Sequence, residues 1–103
     1  MGCSPVCTRT IEHTNKFKRD YKREVKGKSR AYVRKLDAEL AAVVQMLITD
    51  GTLDQRHYDH PLSGKWKDCR DCHIRPDLVL IYRKPDKDTL TLVRLGSHSE
   101  LGL

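Results

Sequence analysis

The chain has 103 residues, which is enough for one domain with a modest core. Hydrophobic residues make up 38% and charged residues 33%, and no apolar run approaches the ~18 residues that suggest a membrane span. The first residues lack both the apolar core and the charged start of a secretory signal. We therefore expect one soluble, cytoplasmic domain over residues 1–103, with residues 1–7 as a flexible arm.

The net charge of +6 is concentrated in one part of the chain. Residues 16–35 carry ten Lys or Arg against Asp20 and Glu24, a local balance of +8. Such a positive region predicts a polyanion or a strongly acidic partner, and nucleic acid is the commonest polyanion. A solvated basic helix is the alternative. Lys18 and Lys22 are candidate RNA contacts within this region.

The four cysteines are Cys3, Cys7, Cys69 and Cys72. A Cys-x2-Cys pair is half of a common zinc motif. Cys69 and Cys72 are expected within one strand, where they point to opposite faces, so they are poorly placed to share a metal. Free thiols in a reducing compartment are the favoured interpretation, and we expect no metal and no cofactor.

The first half of the chain predicts a strand and two antiparallel helices. The strand covers Thr8 to Glu12, and Thr14 is an N-cap for a helix running to about Lys26. Ser29 caps a second helix that ends near Thr49. The apolar residues that recur at helical spacing are Phe17, Tyr21 and Val25 in the first helix, and Val33, Leu36, Leu40, Val43, Val44, Leu47 and Ile48 in the second.

The second half predicts three strands. Residues 52–65 show no regular period and form a loop long enough to suspect a function. Strands are predicted from Trp66 to Ile74, from Leu78 to Tyr82 and from Thr89 to Leu95, and Gly96 then leads into a polar tail. The predicted fold is α+β, in the order β-α-α-β-β-β. The two helices pack on one face of a small, mainly antiparallel sheet, and the other face is available for a ligand.

A spaced set of residues in the second half resembles a known family. The set is Asp59, His60, Pro61, Leu62, Gly64, Trp66, Lys67, Arg70, Asp71, His73, Pro76, Asp77, Leu80, Ile81, Tyr82, Gly96 and His98. Together with the order of elements, it resembles the RelE/ParE superfamily of bacterial toxins, and its YafQ branch in particular. The resemblance extends from Thr10 to Leu101.

This resemblance implies the toxin of a type II toxin–antitoxin system. Such an mRNA interferase enters the ribosomal A site, cuts the message and is held inactive by a cognate antitoxin. The toxin would be monomeric alone and part of a higher-order complex with its antitoxin. The family's catalytic positions map onto His60, His73, Asp77 and His98. Two aromatic positions of the family are occupied here by Leu78 and Gly102, which would weaken stacking on an RNA base.

The chemistry of RNA cleavage without a metal suits this set of residues. The 2′-hydroxyl must lose a proton, the leaving 5′-oxygen must gain one, and the charged phosphorane must be stabilised. Histidine performs either transfer because its unperturbed pKa is about 6.5. His73 shares a predicted strand face with Asp71, and His98 follows the last strand. The second and fourth strands can flank the third, which would bring His73 and His98 toward a shared surface. Asp77 could orient an imidazole or act as the base, so the division of roles stays open.

Several cations accompany the histidines. Lys67, Arg70 and Arg83 are candidate phosphate ligands, although each could instead increase solubility, and Arg70 could pair with Asp71. Trp66 could stack on a base, but a core anchor is the favoured interpretation. Asp59 could serve only to fix its loop.

Two other functions compete with the ribonuclease. The first is a ParE-like inhibitor that binds a protein target such as DNA gyrase and performs no chemistry. The second is a non-catalytic RNA-binding regulator, motivated by Leu78 and Gly102. Histidines at three interferase positions favour the ribonuclease over both.

Overall fold

A computed structural model describes residues 9–51, 53, 59–62 and 64–103, without the side chains of His60 and Lys65. The predictions for the arm at residues 1–7, for Thr8, for His57, for Cys3 and Cys7, and for most of the loop at 52–65 lie outside the described residues. The strands are β1 (Thr10–His13), β2 (His60–Pro61), β3 (Arg70–Arg75), β4 (Leu78–Asp86) and β5 (Thr89–Gly96). The helices are α1 (Asn15–Val25), α2 (Arg30–Ile48) and α3 (His98–Leu101), and a 3-10 turn covers Gly64–Trp66. The predicted α+β class is confirmed.

Five strands form one mixed sheet in the order β1-β5-β4-β3-β2. The antiparallel meander of β3, β4 and β5 has the predicted topology. β1 joins β5 in parallel, with Ile11 opposite Leu90, and β2 pairs antiparallel with β3. Both edges of the sheet therefore come from segments that precede the meander in sequence.

Both long helices begin at the predicted caps. The Thr14 hydroxyl accepts a hydrogen bond from the Phe17 amide at 3.0 Å, and the Ser29 hydroxyl accepts one from the Tyr32 amide at 3.1 Å. Each satisfies an amide that has no partner in the first helical turn, a contribution of about 1 kcal/mol per helix. The helices end at Val25 and Ile48, each within one residue of its prediction.

The main core lies between these helices and one face of the sheet, which we call the helix face. Phe17 of α1 and the apolar stripe of α2 pack against alternate residues of the strands. The buried members are Phe17, Leu36, Val43, Val44, Leu47, Ile48, Cys72, Ile74, Leu78, Leu80, Tyr82, Leu90, Leu92 and Leu95. The predicted packing of both helices on one face of the sheet therefore accounts for most of the buried apolar residues.

The opposite face, which was predicted to be available for a ligand, is partly covered. It carries a second apolar cluster in which Cys69, Val79, Ile81 and Leu101 are buried. Leu62, Trp66 and Val93 pack against this cluster, so Trp66 is a packing residue, as favoured from the sequence. β4 is thus covered on both faces, as its continuous apolar run predicts. We call this face of the sheet, which carries both the second cluster and His73 of β3, the site face.

β4 continues to Asp86, beyond its predicted end at Tyr82, and two further elements differ from the sequence analysis for local reasons. Trp66 belongs to a 3-10 turn in which the Lys67 amide donates to the Gly64 carbonyl at 3.1 Å. The Cys69 amide then donates to the Trp66 carbonyl at 2.8 Å in a further turn, so β3 begins only at Arg70. The predicted polar tail is a helix, α3, whose Leu101 is buried. No helix of the described residues is long and apolar enough to cross a bilayer.

Candidate active site

His73 and His98 meet on the site face. Their ring centroids are 5.1 Å apart, and the rings lie edge to face at 68°. His73 is half-buried on β3, between Cys72 and Ile74, which both point to the helix face. His98 is the first residue of α3 and is exposed. The strand order brings the two rings together, because β3 and β5 flank β4.

A capping box fixes the helix that carries His98. The Glu100 amide donates to the Ser97 hydroxyl at 3.2 Å, and the Ser97 amide donates to Glu100 Oε1 at 2.9 Å. The two reciprocal bonds satisfy amides on both sides of His98. Arg23 of α1 adds an ion pair to Glu100, with Nε and Oε2 at 3.3 Å. His98 therefore has a fixed backbone although its ring is exposed.

Arg23 is itself held by a buried carboxylate, Asp20, which is only 3% exposed. Asp20 accepts hydrogen bonds from Arg23 at 2.9 Å, from Arg94 at 2.7 Å and from the Leu95 amide at 3.0 Å. Burial disfavours the charged carboxylate, but these donors outweigh it and keep the pKa of Asp20 below its usual value. α1 is thereby fastened to the end of β5, just before His98.

Gly96 allows this close approach. A Cβ at this position would lie 2.9 Å from a terminal nitrogen of Arg23 and 3.1 Å from Glu100 Oε1. The same Arg23 nitrogen donates to the Leu95 carbonyl at 2.9 Å. A side chain at this end of β5 would therefore displace the ends of Arg23 and Glu100 from their present positions.

A second set of contacts holds the segment that carries His60. Asp59 accepts hydrogen bonds from the Tyr82 hydroxyl at 2.8 Å and from Arg70 Nε at 3.1 Å. Tyr82 is only 2% exposed, and burial together with the Asp59 charge raises its pKa. Asp59 fixes its loop through these two side chains. Arg70, for which a pair with Asp71 was one possibility, forms an ion pair with Asp59.

Removing the Tyr82 hydroxyl tests this anchor. We expect Tyr82→Phe to lower the free energy of unfolding by about 2 kcal/mol, because a buried donor to a charged acceptor is lost. Chemical denaturation measures the change. Tyr21→Phe is the matched control, since its hydroxyl bonds to Asp37 at an exposed position and its loss should cost less than about 1 kcal/mol. Equal stability of the parent and Tyr82→Phe would contradict the anchoring role.

The other two predicted catalytic residues, His60 and Asp77, lie on other elements. The backbone of His60 pairs with Asp71, which is buried on β3 next to His73. The side chain of His60 lies outside the described residues. Asp77 is exposed in the turn between β3 and β4. The structure therefore brings His73 and His98 into contact and puts His60 and Asp77 on elements adjoining them.

The predicted cations divide between the two faces. Arg83 is exposed on β4, where the alternation of the strand puts it on the same side as Val79 and Ile81 of the second cluster. Lys67 is exposed beside Trp66, which also packs on that cluster. Lys18 and Lys22 are on α1, which packs on the helix face, so they are not brought together with the histidines.

Leu78 and Gly102 occupy the two positions at which the family has aromatic residues. Leu78 is buried in the main core on the helix face, so it does not face His73 and His98. Gly102 ends α3 in the left-handed region, with φ of 73°. Residues with a side chain rarely adopt that conformation, so glycine suits this C-cap.

The described cysteines are free and buried. Cys72 lies in the main core and Cys69 in the second cluster, on opposite faces as predicted. Burial raises the pKa of both thiols, which keeps them protonated. Within the described residues, no three His, Cys, Asp or Glu side chains are grouped to hold a metal ion.

Two parts of this arrangement were missed in the sequence. Ser97 and Glu100 have the Ser-x-x-Glu spacing of a capping box, which signals a helix start where a polar tail was predicted. In the sequence, Asp20 contributes only to the local charge balance of residues 16–35. Its partners Arg94 and Leu95 are more than seventy residues away, and no local pattern reveals them.

Comparisons with known proteins show which family this chain resembles. A family model described as the bacterial toxin YafQ of type II toxin–antitoxin systems matches residues 9–102. The mRNA interferase toxin YafQ of Escherichia coli K12 is 35% identical over 95 residues, which cover 90% of this chain and 95% of that protein.

Solved structures show the same fold. The E. coli DinJ–YafQ complex contains a chain with a TM-score of 0.73 and 33% identity, over 90% of this chain and 97% of that chain. A metal-bound toxin from Helicobacter pylori has a TM-score of 0.75 and 48% identity, over 90% of this chain and 98% of that chain.

Proposed function

The chain belongs to the YafQ family of bacterial toxins of type II toxin–antitoxin systems, and from this premise we propose that it is a ribosome-dependent mRNA interferase. In this role it is an endoribonuclease that cuts translated message in the ribosomal A site and so inhibits translation. The observation that carries the proposal is the contact between His73 and His98, with ring centroids 5.1 Å apart. Nothing in the packing of the core requires an exposed imidazole at position 98.

The proposed reaction is a transesterification within the RNA. A base removes the proton of a 2′-hydroxyl, whose oxygen attacks the adjacent phosphorus. The bond to the 5′-oxygen then breaks, and an acid protonates that oxygen, leaving a 2′,3′-cyclic phosphate and a 5′-hydroxyl. The His98 ring is exposed and can contact the message, while the His73 ring is half-buried and packs against the His98 ring. The base and the acid belong to the set His60, His73, Asp77 and His98.

The developing negative charge needs cations on the same side of the sheet. Arg83 and Lys67 are exposed beside the second cluster, and we assign them this task. Arg70 already pairs with Asp59, and Lys18 and Lys22 lie with α1. Contact of these three with RNA stays a prediction.

The proposed partners are an antitoxin, the ribosome and its message. The E. coli relative is seen in complex with DinJ, which supports a cognate antitoxin for this chain. The site of action is the cytoplasm, where translating ribosomes are found.

In vitro translation with primer extension across the message tests the function. Addition of the protein should produce discrete message ends that depend on translation of that region and disappear when the antitoxin is added. Intact message on translating ribosomes would contradict the proposal. Intact message together with inhibition of DNA gyrase would favour the ParE-like alternative.

A further inference from the structure

The strand that carries His73 is irregular at its end. In the pairing of β3 with β4, His73 lies opposite Val79. Arg75 comes two residues later but lies opposite Leu78, the direct neighbour of Val79. Two steps along β3 therefore match one step along β4, which is a β-bulge. Bulges are common beside active sites, where they change the direction of a side chain.

The bulge directs Arg75 to the helix face. Adjacent residues of a regular strand point to opposite faces, so Arg75 would otherwise share the site face with His73. Ile74 is buried in the main core, and the Arg75 side chain reaches the same side of the sheet. There its Nε lies 2.6 Å from Glu39 Oε1 of α2, and its guanidinium carbon lies 4.9 Å from the centre of the Tyr32 ring.

These contacts occupy the Arg75 guanidinium. Its side chain is only 20% exposed, and the ion pair with Glu39 and the aromatic contact with Tyr32 both hold it against α2. Lys28 adds a second cation to the Tyr32 ring, with Nζ 5.1 Å from the ring centre. Arg75 is therefore poorly placed to bind a phosphate in the way that we assign to the exposed Arg83.

A single proline joins Arg75 to Asp77. The ring of Pro76 fixes its φ near about −65°, and a proline also restricts the residue before it to extended conformations. The short turn between β3 and β4 therefore transmits the position of Arg75 to Asp77 with little freedom. On the other side of the bulge, His73 lies two residues before Arg75 on the same strand.

We propose that Arg75 is a positioning residue, which sets the placement of His73 and Asp77 by holding the bulge of β3 against Glu39 and Tyr32 of α2. The inference rests on the proposed function for the reaction that His73 and Asp77 serve. Arg75 itself does not touch the message. Its loss should therefore slow the chemical step and leave the binding of ribosomes unchanged.

Two arginines give a matched test, since Arg34 is exposed on α2 whereas Arg75 is held against that helix. Arg75→Met should lower kcat for cleavage of message on translating ribosomes by about 10-fold or more, because small displacements of reacting groups are costly. Its KM for ribosomes should stay within about 2-fold of the parent. Arg34→Met should leave kcat unchanged, and thermal unfolding checks that both variants are folded. An unchanged kcat of Arg75→Met would overturn the proposal, and so would a rise in KM alone, which would make Arg75 an RNA ligand.

Exchanging the two charges tests the route through Glu39. Arg75→Glu places two carboxylates together and Glu39→Arg places two cations together, so each single variant should have a lower kcat than the parent. The double variant restores an ion pair, and its kcat should be higher than that of either single variant. A double variant as slow as the slower single variant would overturn the proposal.

A measurement without RNA separates this inference from the proposed function. The His73 and His98 rings are in contact, so their protons should give a nuclear Overhauser cross-peak. This cross-peak should weaken in Arg75→Met and persist in Arg34→Met. Equal cross-peaks in the two variants would overturn the proposal. Failure of the parent to cut message would contradict the proposed function, while the cross-peak still decides whether Arg75 places His73.

Discussion

Replacing His98 by alanine should reduce cleavage of ribosome-bound message by at least about 100-fold, the usual contribution of one proton-transferring group. The His98 ring is exposed, and the capping bonds of Ser97 and Glu100 do not involve it. The variant should therefore remain folded and bind the antitoxin as before. Primer extension measures the cleavage, and relief of growth arrest on expression gives the same answer in cells.

Ser99→Ala is the control for this variant, because Ser99 is exposed on the same helix and comes directly after His98. It should cut message at the parent's rate. His98→Ala that is as toxic as the parent would show that the site lies elsewhere on the molecule.

The contact between the two rings adds a quantitative test. If His73 and His98 act as one unit, the double alanine variant should be little slower than the slower single variant. Independent roles would instead multiply the two losses. The comparison separates two histidines that act as one unit from two that contribute to the rate independently.

The ease of predicting this fold depends on which contacts are local. Thr14 and Ser29 bond to amides three residues away, and the stripe of α2 repeats at helical spacing, so both were read from the sequence. The meander could be inferred from alternating and continuous apolar runs joined by short turns. The cover of the site face could not, because Leu62 and Leu101 reach it from opposite ends of the meander.

In the candidate site, too, only some of the features could be predicted from the sequence. The histidine positions came from a spaced motif, and strand order predicted that His73 and His98 approach each other, as observed. The contacts that hold them rigid were not predicted. The hydrogen bonds between Tyr82 and Asp59 and between Arg94 and Asp20 each join residues that are far apart in sequence. A carboxylate in a basic helix also gives the same local sequence pattern whether it is exposed or buried.

Asp20→Asn should lower the free energy of unfolding at neutral pH by about 3 kcal/mol, because a neutral amide replaces the buried carboxylate that pairs with Arg23 and Arg94. Asp20 is 3% exposed and accepts from two arginines and one backbone amide. Asp50→Asn is the matched control. Its side chain is 49% exposed and pairs with Arg9 and Lys84, so screening by water should limit the loss to about 1 kcal/mol or less.

The dependence on pH identifies the Asp20 charge as the cause. Its pKa is lower in the folded protein than in the unfolded chain, where it is about 3.9. The stabilisation is therefore fully present above about pH 4 and is lost as the pH falls through the folded pKa. The stability difference between parent and Asp20→Asn, measured by urea denaturation, should shrink in that acid range. A difference that is constant with pH would contradict a charge-based role.

Arg23 links Asp20 to Glu100, which caps the helix of His98. At neutral pH, Asp20→Asn should therefore cut message more slowly than the parent, by more than the loss of folded protein explains.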